Sequence, residues 1–374
     1  MHVSFWERES FYNDIDYAII GSGIVGLSAA IELKEKYPKA KVVVLEKGFL
    51  PSGASTKNAG FACFGSPTEI LDDLSIMPEK EVFAMVEKRW KGLLNLKRLL
   101  GDDNLGYKGL GSCELFTNDD ATIYKNTVEQ LDYLNEFLRP IFKADVFELK
   151  DELIENFGFE NIDHVIYNRF EGQINTGKAL KALLEMAQNK GVIIMNGVTV
   201  NNIVQEKNKV DIELTDFTIE AKQVLVATNG FAKQILPELD VQPARAQVLI
   251  TEPIEGLKLK GTFHYEQGYY YFRNVGNRVL FGGGRNLDKQ TENTAKIDLT
   301  STIQNKLDQL LKEVILPYKK EVKIEMRWAG IMGVGDTKTT IVKQLDENIF
   351  CAVRMGGMGV AIGSLIGKEA AEMI

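Results

Sequence analysis

The sequence has few cysteines and no long apolar run. Its 374 residues include three cysteines, Cys63, Cys113 and Cys351, at wide spacing. This spacing excludes a local disulfide framework and a C-x-x-C metal or redox pair, so we predict a reducing compartment and no metal site. No segment reaches about 18 uninterrupted apolar residues, and the N-terminus lacks the apolar core of a secretion signal. We therefore expect a cytoplasmic protein without a membrane span.

Basic residues are also outnumbered by acidic ones. The chain has 44 Lys and Arg residues against 52 Asp and Glu residues, which gives a net charge of −8. This balance disfavours an electrostatic grip on phosphate backbones, so we expect no nucleic-acid partner. The hydrophobic content of 45% and the chain length are sufficient for two globular domains or one large one.

The first 48 residues have the pattern strand, tight turn, helix, strand. In the turn "GSGIVG", Gly21 lets the chain bend sharply, Gly23 leaves room for a pyrophosphate beside helix N–H groups, and Gly26 permits close helix packing. Glu46 ends the second strand, where it would accept hydrogen bonds from a ribose diol and repel a 2′-phosphate. The pattern predicts an adenine dinucleotide, FAD or NAD rather than NADP.

The rest of the chain favours FAD over NAD. A nicotinamide-binding domain is usually contiguous, whereas helices and mixed strands follow the first βαβ unit here. Two remote segments are candidates for the missing pieces: "VLVATNG" at residues 224–230 and "GGMG" at residues 356–359, where a terminal helix begins. The positive end of that helix would stabilise the anionic edge of a reduced flavin.

This ordered set of segments resembles the D-amino-acid-oxidase-like FAD-dependent oxidoreductases, which include glycine oxidase, sarcosine oxidase and γ-glutamylputrescine oxidase. The resemblance runs over nearly the whole chain and is carried by "IIGSGIVGLSAA", "VLEK", "GASTKNAGF", "VLVATNG", "ARAQVLITEP", "RWAG" and "GGMGVAIGSLIGKEAAEMI". It implies an α/β fold with a discontinuous Rossmann-like FAD-binding domain and an α+β substrate domain built on an antiparallel sheet. The implied FAD-binding domain comprises residues 1–80, 166–240 and 325–374, and the substrate domain comprises residues 81–165 and 241–324.

The resemblance also implies noncovalent FAD, because none of the family's attachment residues is evident. The three glycines and the turn at 227–230 would lie at the pyrophosphate, Glu46 at the ribose, Val200 at the adenine and residues 357–359 at the isoalloxazine. The implied cofactor-binding residues are Gly21, Gly23, Gly26, Glu46, Lys47, Ser55, Thr56, Lys57, Asn58, Val200, Ala227, Thr228, Gly230, Gly356, Gly357, Met358 and Gly359.

The implied reaction transfers a hydride to flavin N5 from a carbon that bears an amine, and the imine is then hydrolysed. The substrate would be a small amine or amino-acid derivative, and the electron acceptor, O₂ or a carrier, leaves no motif. Met332 and Gly357 stand where glycine-oxidase-like members have arginines for the substrate carboxylate, so a simple α-amino acid held by both is not expected. Other arginines remain as carboxylate partners or as structural ion-pair partners: Arg273, Arg285, Arg327 and Arg354.

The run "GYYYFRN" offers a candidate pocket wall. Side chains alternate along a strand, so Tyr269 and Tyr271 would share one face and Tyr270 would lie on the other. We assign Tyr269, Tyr271 and Arg273 to the substrate pocket, with core packing of the tyrosines as the alternative. His264 is a candidate base or a satisfied polar group, since hydride transfer from a neutral amine needs no strong base.

Three other functions stay open at the level of sequence. An NAD-dependent dehydrogenase would share the first glycine turn but leave "GGMG" unexplained. A flavin-dependent tRNA-modifying enzyme of the same superfamily would need a basic face or a partner domain. A non-catalytic flavoprotein would bind FAD without being reduced by any amine.

Overall fold

The computed structural model of the chain describes residues 3–374, so the first two residues of the predicted segment 1–80 lie outside the described residues. The strands are β1 (Ile15–Ile20), β2 (Val42–Glu46), β3 (Phe61–Ala62), β4 (Ser112–Phe116), β5 (Phe147–Leu149), β6 (His164–Asn168), β7 (Gly172–Gln173), β8 (Ile193–Asn196), β9 (Val200–Gln205), β10 (Val210–Leu214), β11 (Thr218–Val226), β12 (Gln242–Thr251), β13 (Thr262–Tyr265), β14 (Tyr270–Val275), β15 (Arg278–Gly283), β16 (Ile324–Val334), β17 (Ile341–Asp346) and β18 (Ile349–Val353).

The helices are α1 (Phe5–Glu7), α2 (Ile24–Lys36), α3 (Ala54–Lys57), α4 (Pro67–Ile76), α5 (Glu79–Leu105), α6 (Ala121–Glu129), α7 (Leu131–Phe142), α8 (Glu152–Phe157), α9 (Thr176–Asn189), α10 (Lys289–Glu292), α11 (Ser301–Leu310) and α12 (Gly359–Met373). None of these helices combines the length and the apolar character that a bilayer crossing would need, within residues 3–374.

The first sheet is built from three remote stretches of chain. Its strand order is β17-β18-β11-β1-β2-β8, and the β9–β10 hairpin is attached to β11. The strands β18, β11, β1, β2 and β8 are parallel, whereas β17 and β10 pair antiparallel with their neighbours. The parallel strands are nearly continuous apolar runs, such as residues 42–45, because both faces of the sheet are covered.

Helices cover one face of this sheet. Ile19 of β1 packs in an apolar core with residues of α2, α5, α9 and α12, whereas its neighbours Ala18 and Ile20 pack on the opposite face against β10. The terminal helix α12 contacts α2 and α5 very closely. A Cβ on Gly92 of α5 would lie 2.1 Å from the Ala361 carbonyl oxygen of α12. Helix α12, the last of the chain, therefore lies in the same layer as α2 and α5.

The second sheet has the order β16-β12-β15-β14-β13-β4-β6-β5 and is antiparallel except between β13 and β4. Phe263, Tyr270 and Phe272 lie on the face that packs against α11. His264 and Tyr271, which are cross-strand partners, lie on the other face and line a cavity. The alternation of side chains on β13 and β14 thus separates a core face from a cavity face.

Strand pairing and helix packing differ from the predicted division at three points. The strand β16 pairs along its length with β12 of the second sheet, although the prediction places residues 325–374 in the FAD-binding domain. Helix α5, predicted within residues 81–165, packs against α9 and α12 of the first layer. The predicted boundary at residue 166 falls inside β6, a strand of the second sheet. Hydrophobic periodicity identifies a strand or a helix, but the sheet or layer that it joins depends on long-range pairing.

Substitution of Gly92 by alanine tests the contact between α5 and α12. Because the added Cβ would overlap the Ala361 carbonyl, we expect Gly92→Ala to lower the free energy of unfolding by about 1–3 kcal/mol in a denaturant titration. Gly177→Ala is the matched control, since Gly177 is exposed in α9 and its Cβ would meet nothing closer than 3.4 Å. Equal stability of Gly92→Ala and the wild type would contradict this packing.

Candidate cofactor and substrate site

A cavity of about 750 Å³ is lined by residues of both sheets. This volume lies within the range of about 300–1,000 Å³ that is usual for small-molecule and cofactor sites. Segments that are hundreds of residues apart meet around it. The lining comes from residues within the stretches 20–25, 45–63, 198–200, 227–235, 330–332 and 355–361, with further residues from α4, β12, β13, β14, the turn at Gly268 and the loop at 295–297.

The first glycine turn lies between β1 and α2, and at each of its three glycines a side chain would clash with a different atom. Gly21 has a φ of +107°, and a Cβ there would lie 2.9 Å from the Ala227 carbonyl oxygen. A Cβ on Gly23 would lie 2.9 Å from Ser55 Oγ, and one on Gly26 would lie 2.0 Å from Gly21 O. Gly21 and Gly23 line the cavity, whereas Gly26 lets the helix pack on the strand.

Glu46 connects the end of β2 to this turn. Its Oε2 accepts hydrogen bonds from the backbone N of Ser22 at 3.1 Å and from the Ser22 hydroxyl at 2.6 Å, and its Oε1 accepts one from Gly48 N at 2.8 Å. A carboxylate has about four acceptor sites, so Glu46 retains acceptor capacity at the cavity wall. Lys47 and Val200 line the same wall.

The loop around α3 connects α2 to the second sheet through hydrogen bonds. Ser55 Oγ accepts a hydrogen bond from Ile24 N at 3.0 Å, at the start of α2. The Lys57 carbonyl accepts one from Trp328 Nε1 of β16 at 3.0 Å. Thr56, by contrast, donates its hydroxyl proton to a carbonyl within the loop and does not line the cavity. The loop thus holds the two sheets at a fixed separation beside the cavity.

Thr228, in the turn after β11, carries the clearest sign of a missing polar partner. Its hydroxyl oxygen is buried and has no hydrogen-bond partner among residues 3–374, and the residue lines the cavity. An unpaired buried hydroxyl is costly, so a polar group of a ligand fits this position. Gly230, two residues on, lies outside the lining, because it packs against β16, where its Cβ would lie 2.4 Å from the Met332 carbonyl oxygen.

The turn between β18 and α12 completes the cradle. Gly356 and Gly357 have φ values of +57° and +84°, in the left-handed region, and residues 355–361 line the cavity. The first N–H groups of α12 have no intrahelical acceptor and carry the partial positive charge of the helix. A Cβ on Gly357 would lie 3.4 Å from Met332 Sδ, so the methionine lies beside this turn.

The structure brings most of the predicted cofactor residues into one cavity wall. Gly26, Thr56 and Gly230 are the exceptions, and each makes a packing or loop contact instead. The predicted residues that line the cavity are Gly21, Gly23, Glu46, Lys47, Ser55, Lys57, Asn58, Val200, Ala227, Thr228, Gly356, Gly357, Met358 and Gly359.

An aromatic wall faces this cradle. Phe61 packs edge-on against Tyr271, with ring centroids 5.6 Å apart, and against His264, with centroids 5.4 Å apart. All three residues line the cavity. Burial raises the pKa of Tyr271 to about 12, so its phenol stays neutral. The wall thus combines two aromatic rings with the imidazole of His264.

Tyr269 does not belong to this wall. It is 46% exposed and lies in the turn before β14, outside the cavity lining. Gln267 and Gly268 have positive φ values, so the alternation of the strand begins only at Tyr270. The predicted pairing of Tyr269 with Tyr271 is therefore corrected by the geometry of the turn.

Arg273 does not line the cavity either. It lies two residues beyond Tyr271 on the same face of β14, but its guanidinium donates to the carbonyl oxygens of Ala59 and Ile174. Within residues 3–374 no arginine lines the cavity. The other candidate arginines bind side chains elsewhere: Arg285 binds Asn293, Arg327 binds Asp308, and Arg354 binds Asp240.

Three carboxylates surround His264. Glu171 Oε2 lies 3.6 Å from His264 Nε2, and Glu69 Oε2 lies 4.0 Å from His264 Nδ1. Glu114 of β4 is the cross-strand neighbour of His264 and accepts hydrogen bonds from residues 66–68. Glu69 and His264 line the cavity, whereas Glu114 and Glu171 are buried behind them.

This cluster holds a proton on His264. Burial opposes the charge, but the neighbouring Glu171 and Glu69 carboxylates outweigh it and raise the pKa of His264 to about 9. Burial raises the pKa of Glu114 to about 7. His264 is therefore a cation near neutral pH and lies beside the Glu171 carboxylate. Because it already carries a proton, it is unsuited to the role of a base.

Sequence analysis identified none of these three carboxylates. Glu69 lies in "SPTE", a capping-box pattern that predicts a helix start, and its Oε2 does accept a hydrogen bond from Ser66 N at 2.9 Å. Glu114 lies in the apolar strand "SCELF", where a charged residue signals a buried partner. Neither pattern indicates which other residues it meets.

Replacement of Thr228 by valine separates cofactor binding from folding. Because the hydroxyl has no protein partner, we expect the apoprotein to be as stable as the wild type or slightly more stable, and FAD to bind more weakly by about 0.5–1.5 kcal/mol. Fluorescence titration of the apoprotein with FAD measures the affinity. Thr56→Val is the control, since its hydroxyl donates to Pro51 O at 2.6 Å and its loss should destabilise the apoprotein. A destabilised Thr228→Val apoprotein with wild-type FAD affinity would contradict the assignment.

The His264 cluster predicts a dependence of stability on pH. The pKa of His264 is about 9 in the folded chain against an ordinary value of 6.5, so its contribution is complete below pH 6.5 and disappears as the pH rises to 9. We expect the difference in free energy of unfolding between wild type and His264→Gln to shrink over this interval. His164→Gln, at a partly exposed histidine outside the cavity, is the control. A pH-independent difference for His264→Gln would disprove the pairing.

Comparison with known proteins places this arrangement in a family. Residues 16–373 match the DAO family of FAD dependent oxidoreductases. The probable oxidoreductase OrdL of Haemophilus influenzae is 22% identical, over 96% of this chain and 82% of its own length. The γ-glutamylputrescine oxidoreductase of Escherichia coli is 24% identical, over 96% of this chain and 83% of its own length.

The solved structures agree with the fold. Glycine oxidase from Geobacillus kaustophilus superimposes with a TM-score of 0.77 at 20% identity, over 96% of this chain and 94% of that one. At this identity the likeness shows the fold alone, and it confirms the predicted fold class. FAD, rather than NAD, is the cofactor that the family match supports. Since the match spans all but the ends of the described residues, the chain belongs to the DAO family of FAD-dependent oxidoreductases.

Proposed function

We propose that the chain oxidises the C–N bond of a small amine or amino-acid derivative. Bound FAD would supply a two-electron acceptor for the hydride of the carbon, while the nitrogen lone pair forms the C=N bond and water then yields a carbonyl compound and an amine. The observation that carries the proposal is the continuity of one cavity from the glycine cradle to the aromatic wall. Relatives named glycine oxidase and γ-glutamylputrescine oxidoreductase support an amino-acid or amine substrate.

The roles of the cofactor residues belong to this proposal. Gly21 and Gly23 leave the space for the pyrophosphate, and the Thr228 hydroxyl donates to it. Glu46 accepts from the ribose, and the N–H groups at the start of α12, within residues 356–361, stabilise negative charge on the flavin ring. The positive φ values, the unpaired hydroxyl and the helix terminus support these roles.

The cofactor is held without a covalent bond in this proposal. Cys63 is the cysteine in the cavity lining of the described chain, and burial raises the pKa of its thiol well above the usual value. The thiolate is the nucleophilic form, so this cysteine is unreactive. Acid denaturation followed by filtration should therefore release the FAD into the filtrate, and retention of the flavin by the protein would show a covalent link.

An anaerobic titration tests the reaction itself. We expect the oxidised flavin band to disappear with at least one member of a panel of primary amines, N-alkyl amines and amino acids, with one carbonyl product formed per flavin reduced. The matched alcohols and 2-hydroxy acids serve as controls and should leave the band unchanged. A flavin that dithionite reduces but no amine or amino acid reduces would contradict the proposed function.

A further inference from the structure

The part of the cavity next to the aromatic wall lacks a guanidinium. No arginine lines the cavity among the described residues, and Met332 lies beside Gly357 at the turn before α12. His264 is a cation in the wall, but its Nε2 lies 3.6 Å from Glu171 Oε2, so that charge is already balanced. A substrate carboxylate at this place would meet no free guanidinium.

Glu69 gives the same wall a free negative charge. It lines the cavity, and its side chain retains 36% of its exposure. One oxygen, Oε2, accepts from Ser66 N, whereas Oε1 has no hydrogen-bond partner within residues 3–374 and lies next to Gly268, another lining residue. The distance of 4.0 Å from Glu69 Oε2 to His264 Nδ1 is too long for a hydrogen bond, so the imidazolium attracts this carboxylate but leaves Oε1 available to a ligand.

The buried groups behind the wall make a cation still more favourable there. Glu114 and Glu171 are 2% and 0% exposed, and both lie near His264. The ring of His264 is 5% exposed, and its Nε2 and Glu171 Oε2 have no hydrogen-bond partner among the described residues. Burial raises the pKa of Glu114 to about 7 and leaves it partly protonated near neutral pH, so Glu69 and Glu171 are the carboxylates that share the imidazolium. A second positive charge would be stabilised there, whereas an anion would be repelled.

We propose that Glu69 binds the positive charge of the substrate and that the cavity selects organic ammonium compounds without a carboxylate on the reacting carbon. This proposal rests on the proposed function, since it names the substrate class of the same site. Glu69 is a specificity-determining residue in it, through a charge-assisted hydrogen bond from the ammonium group to Oε1. The ammonium passes one proton to this carboxylate before the hydride leaves the carbon, which frees the nitrogen lone pair for the C=N bond. Among the described residues two lysines line the cavity, Lys47 beside Glu46 and Lys57 in α3, and Lys57 is the one tested as an opposing charge.

The experiment compares ligands that differ only by a carboxylate. The FAD-loaded protein is titrated anaerobically with propylamine and with 2-aminobutyrate, and the shift of the oxidised flavin spectrum and of the melting temperature gives each dissociation constant. We expect propylamine to bind at least tenfold more tightly. Glu69→Gln keeps the acceptor for Ser66 N and should weaken propylamine binding roughly 10- to 100-fold. Asp72→Asn, which removes an exposed carboxylate of the same helix, should have no effect.

A second variant tests the same claim in the opposite direction. Met332→Arg places a guanidinium beside Gly357, and we expect it to bind propionate and 2-aminobutyrate at least tenfold more tightly than the wild type. If this variant does not fold, the Glu69→Gln comparison still decides the question.

Two results would overturn the proposal. One is 2-aminobutyrate binding as tightly as propylamine. Loss of that binding in Lys57→Met would then identify Lys57 as the carboxylate's partner. The other is unchanged propylamine affinity in Glu69→Gln. Failure of the proposed function looks different: propylamine would bind in a Glu69-dependent way, yet neither it nor any other amine or amino acid would reduce the flavin.

Discussion

The parallel register of four strands decides where the site lies. The strands β18, β11, β1 and β2 are neighbours and run in the same direction, so their carboxyl ends meet at one edge of the sheet. Gly21 follows β1, Glu46 ends β2, Ala227 follows β11 and residues 355–361 follow β18, and all of them line the cavity. The cradle depends on this convergence of three remote stretches of chain, and the second sheet closes the cavity opposite it.

The cradle and the wall formed by the second sheet present different groups to a bound molecule. The starts of α2 and α12 present N–H groups and partial positive charge, which suit a pyrophosphate and a reduced flavin. The second sheet and α4 present Glu69 and, behind it, two buried carboxylates around His264. A cofactor that carries negative charge would therefore bind beside the helix termini, and a substrate that carries positive charge would bind beside Glu69, in one continuous cavity.

Local sequence patterns predicted the cradle, and long-range pairing decided the rest. Gly21, Gly23 and Glu46 belong to one βαβ unit, whose spacing fixes their geometry without knowledge of the remaining chain. The segments at 224–230 and 356–359 were candidates for the missing pieces of a split domain, and the resemblance gave their residues roles at the FAD. Tyr269 was misplaced because the positive φ values of the preceding turn set the start of the strand. Arg273 lies on the expected face, but its partners come from two other loops.

The carboxylate cluster and the domain boundaries also depend on contacts that local sequence patterns do not predict. Glu69, Glu114 and Glu171 come from a helix, a strand and a loop that meet only through the order of the second sheet. The strand β16 joins β12 rather than the first sheet, which no local periodicity indicates. Sequence patterns therefore specified the half of the site built by one motif and left open the half assembled from separate elements.

Hydrogen exchange of the apoprotein and the FAD-loaded protein tests the central claim most directly. If the three stretches enclose one dinucleotide, FAD should protect amides of residues 21–27, 227–231 and 356–361 together, with one dependence on FAD concentration. Protection confined to residues 21–27 would contradict the account, because the other two stretches would then take no part in binding the cofactor.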